Sequence, residues 1–347
     1  MTTAVRTPVA AAACCGIKYW GSHQAARDKM QHSRMFTRQE LDRYFASYVG
    51  MEGGNPTAAV WICDRSPAWS EPIVAPLHPH LAPPAWDAVF RQQHRQDMAK
   101  WFGHQCVARI MAAARAEALG VRLGDNDWEH YYWSHLYSPA GAEFRLSLFP
   151  LPAHVDGRTT WSKAFRGQPE LIPQKRYVAL CREGERFRFI ARTCERWRPK
   201  VVICLSHRHT DEYIEAFSLD GVAGEEHALR PADQARRLHL FTRGDTTWII
   251  CPAIGGSAGM TSQVQLDAFG KFIGARLAAS DFRHCLELET HEPATLPQRQ
   301  PEPHREPHRE RYAVPPVAVA EREIGHRIRP GLAWSEAAMT GTCETYA

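Results

Sequence analysis

Gly53-Gly54-Asn55-Pro56-Thr57-Ala58-Ala59-Val60-Trp61-Ile62-Cys63-Asp64-Arg65-Ser66-Pro67-Ala68-Trp69 is the stretch that decides the fold. Gly-Gly-Asn-Pro is dense turn chemistry. The run from Ala58 to Cys63 is short, apolar, β-branched and aromatic, the composition of a strand buried on both faces in a parallel sheet. It then breaks into a polar turn containing proline. In an open α/β sheet, ligands bind in the crevice beyond the carboxyl ends of the strands. Asp64, Arg65 and Ser66 stand in that crevice, although an ordinary strand exit with a solvated aspartate reads the same way.

Three further strands follow. Glu143 to Leu151 alternates, with Phe144, Leu146 and Leu148 on one face and Arg145, Ser147 and Phe149 on the other. Pro199 to Leu205 opens into Ser206-His207-Arg208-His209-Thr210-Asp211 and a helix through Phe217. Thr247 to Pro252 opens into a small-residue loop, Ala253 to Ser262, and then a helix to about Ala279. Gly255, Gly256 and Gly259 let backbone N–H groups approach an anion at that helix start. Residues 218–245 read as a polar loop.

Between the strands the chain reads as helix. Thr37 with Glu40 makes a capping box and Phe36 with Leu41 a hydrophobic staple, starting a helix that runs to about Tyr48. Trp86 to Leu119 is helical with a break near Gly103. Trp128 to Trp133 is aromatic, either a platform for bases or a packed helix face. Gln174 to Trp197 is a basic helix whose Arg182, Arg186, Arg188 and Arg192 alternate with aromatics and suit phosphate contact. Glu183, Glu185 and Glu195 make a solvated, ion-paired helix the competing reading.

The 347 residues are enough for a sizeable core, and the net charge of +4 permits an anionic partner without requiring one. The ten cysteines include no C-x-x-C pair, and several fall in apolar strands. A reduced, cytoplasmic protein without disulfides is expected. No run has the length of a membrane span. Residues 1–35 show no sustained period, and 281–347 carry the low-complexity Pro-Glu-Pro-His-Arg-Glu-Pro-His-Arg-Glu-Arg repeat; both ends are expected to lack a packed core.

Short strands separated by helices predict one domain over residues 36–280, a three-layer α/β/α fold around a central, mainly parallel four-stranded sheet. The layout resembles the uracil-DNA glycosylase superfamily, most closely the bacterial anti-phage glycosylases that excise glucosylated hydroxymethylcytosine. The matching stretches are Phe36 to Leu41, Gly54-Asn55-Pro56 with Val60 to Cys63, Phe144 to Leu151, Trp161, Pro199 to Leu205, and the Gly255 to Ser262 loop with its helix.

That resemblance implies base flipping into a pocket and hydrolysis of the N-glycosidic bond, with DNA as partner and no cofactor. An acid after the first strand would position water, and Asp64 is the acid there, with Ser66 beside it. The base-reading asparagine of the family is Ser147 here, and the histidine of its last turn is Cys251, a poor donor. The implied pocket adds Arg65, Pro67, Trp69, Phe149, Gly255, Gly256, Ser257 and Met260. Trp69, Phe149 and the aromatics near Tyr131 would stack on a base. Asp64 and the Cys251–Met260 loop are expected at neighbouring strand ends. Two other readings stand beside this one. His207, His209 and Asp211 have the spacing of a zinc-hydrolase motif that lacks its last histidine. The three altered positions also suit a protein that binds DNA without cutting it.

Overall fold

The structure is a computed structural model; it describes residues 34–67, 73, 76–152, 160–230, 235–254 and 259–283. The expectations for 1–33 and 284–347 lie outside the described residues.

The first helix, α1 (Arg38–Phe45), starts as its sequence dictates. The Thr37 hydroxyl accepts from the Glu40 N–H at 3.2 Å, and the Glu40 carboxylate accepts from the Thr37 N–H at 2.9 Å. Phe36 and Leu41 are both buried, as a staple requires. Two extended residues, β1 (Gly53–Gly54), lead to the central strand β2 (Val60–Asp64). The long helical stretch divides into α2 (Ala88–Met98) and α3 (Phe102–Leu119), the break falling at residues 99–101 just before Gly103. The aromatic segment forms α4 (Asp127–His130) and a single π-helical turn, Tyr131–His135. Then come β3 (Glu143–Ser147), α5 (Trp161–Ala164), α6 (Gln174–Glu183) and α7 (Glu185–Trp197). The basic stretch is thus two helices. Gly184 divides them, because any Cβ there would fall 2.3 Å from the Leu180 carbonyl oxygen and 2.4 Å from the Asp42 carboxylate.

The chain continues through β4 (Val201–Leu205), a 3-10 turn at His207–His209, α8 (Thr210–Ala216), β5 (Gly224–Leu229), β6 (Arg236–Arg243), β7 (Thr246–Cys251) and α9 (Gln263–Gly274).

The sheet runs β1-β3-β2-β4-β7-β6-β5. The four expected strands, β3, β2, β4 and β7, are adjacent and mutually parallel. The expectation of a four-stranded sheet is nevertheless corrected to a mixed one, of seven strands among the described residues. β1 adds antiparallel to β3, and β6 and β5 add antiparallel beyond β7. The segment read as a polar loop therefore supplies two strands. β6 carries Leu238 and Leu240 inward, while β5 is exposed at all but its last residue.

Helices cover both faces. Trp61 and Cys63 of β2 point into a core shared with α1, α6, α7 and α8, and Val60 and Ile62 into one shared with α2, α3 and α9. Burial of each such large side chain contributes about 1.5–3 kcal/mol. On the second face, α9 lies against α3 through Gly270 and Gly274. A Cβ at these positions would fall 2.4 Å from the Ile110 carbonyl oxygen and 2.5 Å from that of Ala114. The first turn of α3 shares a cleft with the ends of β2 and β4, through Gly103 and Val107 beside Asp64 and Leu205.

Candidate functional site

A cleft of about 380 Å³ opens at the carboxyl ends of the parallel strands. Asp64, Arg65 and Ser66 reach it from the end of β2, Ser206 and His209 from beyond β4, and Ala253 and Ile254 from beyond β7. Arg145 of β3 enters from beneath, and Gly103 and Val107, one turn apart on α3, form a wall. The expectation of neighbouring strand ends needs correcting, because β4 lies between β2 and β7 in the sheet. The two ends still share the cleft, since the parallel strands finish at one level.

The charged groups form two arms. In the first, Arg145 is paired with Asp64 through Nη2 and with Glu52 through Nε at 2.7 Å. Its Nη1 donates to the Tyr137 hydroxyl at 3.1 Å and meets His104 Nδ1 at 3.3 Å. These side chains are mostly enclosed, Arg145 being 11% exposed and Asp64 20%. Burial pushes the Asp64 carboxyl above its ordinary value; Arg145 pulls it down, and the Glu52 carboxylate pushes it up again. Burial works against the Arg145 cation, but Asp64 and Glu52 outweigh it and hold the guanidinium charged. Burial and then Arg145 drive His104 well below the usual imidazole value, so it is neutral and its Nδ1 accepts from the guanidinium.

In the second arm, Arg65 forks onto Glu212, Nε to Oε2 at 2.8 Å and Nη2 to Oε1 at 3.1 Å. Glu212 Oε2 also lies 3.3 Å from His209 Nδ1. Burial raises the Glu212 carboxyl, but His209 and Arg65 together bring it below the ordinary value, so it is a carboxylate. Between the arms, Ser206 leaves β4 with φ +87°, a conformation that strains an L-residue by about 1–3 kcal/mol. Its N–H donates to the Cys251 carbonyl at 3.0 Å, which ties the β4 and β7 exits together.

Of the residues expected from sequence, Asp64, Arg65 and Ser66 line the cleft, whereas Pro67 is buried. Ser147 is the register partner of Asp64 and is fully buried, with no hydrogen-bond partner for its Oγ among the described residues. Trp69, Gly255, Gly256 and Ser257 lie outside the described residues.

Other expectations are corrected. Cys251 ends β7 with its thiol buried and donating to the Cys204 carbonyl at 3.5 Å, so it is no donor to a ligand in the cleft. Met260 is fully buried in the core beneath α9. Phe149 is 1% exposed, with Arg65 stacked 4.8 Å from its centroid and Tyr177 and Phe187 packed around it. Its faces are taken, which leaves none for a base. Tyr131 and Tyr132 are likewise packed inside, so the aromatic segment is a helix face in the core.

The four arginines expected to meet phosphate are engaged elsewhere. Arg186 is completely buried and donates to five backbone carbonyls. Arg182 pairs with Glu215, and Arg188 and Arg192 pair with Glu185 on the surface. The zinc motif does not assemble either. His207 Nε2 faces the Ile250 carbonyl at 3.1 Å, His209 turns to Glu212, and Asp211 lies in the first turn of α8. Among the described residues no three His, Cys, Asp or Glu side chains converge to hold a metal.

Sequence reasoning missed Arg145, Glu52, His104, Gly103 and Glu212. The strand alternation that put Arg145 on the face opposite Phe144 was the available signal for one of them. No helix among the described residues is long and apolar enough to cross a membrane. No protein-family model matches the chain, nor does any curated protein or solved structure, so its function rests on what the cleft can do.

Proposed function

We propose that the chain is a DNA glycosylase, of the kind its sequence resembles, which hydrolyses the N-glycosidic bond of a flipped base. The observation that carries this reading is the position of Asp64. An enclosed carboxylate stands at the end of the central parallel strand, within a cleft that has apolar walls at Val107, Leu205 and Ile254. The volume suits one small ring with a substituent, at the lower end of ordinary ligand sites of about 300–1,000 Å³.

The chemistry follows from the charges. Breaking the bond to a base leaves positive charge on the sugar, as in other glycosidic cleavages. Asp64 is held by Arg145, and the second carboxylate, Glu52, makes the cluster of three anionic overall when both acids are ionised. Fixed negative charge at the cleft floor stabilises the cation-like sugar without reorganisation. The free oxygen of Asp64 orients the attacking water.

Base release from duplex and single-stranded DNA carrying uracil, hydroxymethylcytosine or glucosylated hydroxymethylcytosine tests the reading, with alkali revealing abasic sites. Asp64→Asn keeps the shape and removes the charge; its rate is expected to fall about 10²–10⁴-fold. A second reading, binding without cleavage, draws on the Cys251 thiol lying in the core, where it leaves the β7 exit without a donor. Salt-sensitive binding to these DNAs with no base released by the unaltered protein supports that reading instead.

A further inference from the structure

We infer that the protein has a second binding site, at the amino ends of the parallel strands, which takes the dianionic phosphate of a phosphate monoester. A separate cleft of about 420 Å³ opens there, at the opposite end of β2 from Asp64. Its walls are the segments leading into β2, β3 and β4, together with a 3-10 turn, Ala279–Phe282, and the residue after it. Because a ligand here leaves the first cleft open, the inference stands apart from the glycosylase reading.

Three cations line this second cleft, Arg198, Lys200 and Arg283, against one acid, Asp281. Lys200 Nζ is paired with Asp281 Oδ2 at 2.8 Å. Neither Arg198 nor Arg283 has an ion-pair partner among the described residues. Three cations less one carboxylate leave two positive charges. That balance matches a phosphate monoester, which carries about −1.5 to −2 at neutral pH. A phosphodiester of DNA carries only one negative charge per phosphate. Two guanidinium forks supply the planar, paired donors that phosphate oxygens accept.

Arg198 holds the most telling position. It caps the end of α7 with φ +48° and ψ 61°. Glycine is the usual residue in that left-handed conformation, since a Cβ resists it. The benefit of a cation near a helix carboxyl end is already supplied by Arg196 in the last turn. What arginine adds at 198 is a guanidinium at the cleft. Its backbone is fixed, the N–H donating to the Cys194 carbonyl at 2.8 Å, and the Lys200 carbonyl accepts from the Thr247 N–H at 2.9 Å. Ala59 and Ala140 line the cleft with small side chains, and the volume leaves space beside a phosphate for a compact organic group.

Calorimetric titration of the full chain tests the inference. The probes are inorganic phosphate, deoxythymidine 5′-monophosphate, thymidine, and a DNA duplex with 5′-hydroxyl ends. The variants are Arg198→Gly, Arg283→Gln and, as a control outside the cleft, Arg196→Gln. Phosphate and the monophosphate are expected to compete for a single site, with thymidine not binding there. Arg198→Gly and Arg283→Gln are each expected to weaken that binding about tenfold, the worth of one charge-assisted contact, and Arg196→Gln to leave it unchanged. Arg198→Gly is also expected to keep the parent melting temperature, because glycine suits the cap; a purely structural arginine would show the reverse pattern, a lower melting temperature with binding intact. The inference is overturned if neither phosphate nor the monophosphate binds. It is equally overturned if Arg198→Gly and Arg283→Gln bind as the parent does, or if Arg196→Gln loses as much as they do, which would mean diffuse surface charge. Phosphate-sensitive binding of the duplex that depends on Arg198 and Arg283 and exceeds that of the monophosphate would assign the cleft to a nucleic-acid backbone instead.

Discussion

Arg186 has its whole guanidinium sealed inside the protein. It donates to the carbonyls of Phe45, Ser47 and Val49 at and just beyond the end of α1, and to those of Ser147 and Leu148 at the end of β3. Burial lowers its pKa to about 10, still far above neutrality, so the charge persists. Five carbonyl dipoles converge on one planar cation, and no other side chain offers that many donors in a fixed fork. Arg186→Ala is expected to destabilise the fold by about 3–5 kcal/mol, since it strands several buried acceptors at once. Arg186→Lys is expected to recover only part of this, having three donors. Urea unfolding followed by tryptophan fluorescence measures both, and an alanine variant within 1 kcal/mol of the parent would refute the anchoring role. The sequence shows Arg186 as one arginine in a basic helix. Nothing in composition distinguishes it from Arg188, because its burial depends on where α7 crosses the α1 exit.

Single elements show what local pattern carries and what it leaves out. The α1 cap, the four parallel strands and the opening of the β2 exit into a cleft were all legible, because capping boxes, apolar runs and strand exits are local signals. The break before α3 was visible only as a loose expectation near Gly103, and its consequence was not. Gly103 lies in the first turn of α3 and lines the cleft, and nothing stands within 4 Å of where its Cβ would be. Val107 lies one turn on, so any side chain at 103 shares its cleft-facing side. Gly103→Leu is therefore expected to keep or raise thermal stability, by up to about 1 kcal/mol from helix propensity. The same variant should abolish ligand entry by filling the cleft. A melting curve read beside the base-release assay checks both halves, and unchanged release in a stable Gly103→Leu protein would show that the ligand does not use this cleft. Gly270 and Gly274 of α9 are the opposite case: their Cβ positions are occupied by the backbone of α3.

Across the whole molecule, what escaped sequence reading is what depends on distant partners. β5 is polar because it is an exposed edge strand, so its apolar content gave no warning; β6 did carry the alternation of Leu238 and Leu240. Glu143 is the sharpest instance. It opens β3 as a charged residue in an apolar strand, and it is completely buried. Its carboxyl accepts from the Tyr131 hydroxyl and from the Tyr137 N–H, each at 2.6 Å, pinning the π-helical turn and a residue with φ +54°.

Burial lifts this carboxyl from 4.5 to about 7, against the pull of the two hydrogen bonds and of Arg91. The folded state therefore keeps a proton that the unfolded chain has released, and Glu143 makes global stability fall as pH rises between about 4.5 and 7. The full effect is on the order of 3 kcal/mol. Asp64, also raised by burial, acts in the same direction, whereas His104, lowered by burial, acts in the opposite one. The raw pH dependence of the protein mixes these with further shifted groups, His94 and His207 among them, and a difference against Glu143→Gln isolates one. Glutamine keeps an acceptor for the Tyr137 N–H and presents an amide to the Tyr131 oxygen, so the geometry survives while the titration is lost. Urea unfolding of parent and variant at pH 5 and pH 8 should show the variant gaining on the parent by roughly 3 kcal/mol as pH rises. Parallel pH profiles would mean that Glu143 is ionised in its pocket, and that the hydrogen bonds and Arg91 outweigh the cost of burying it.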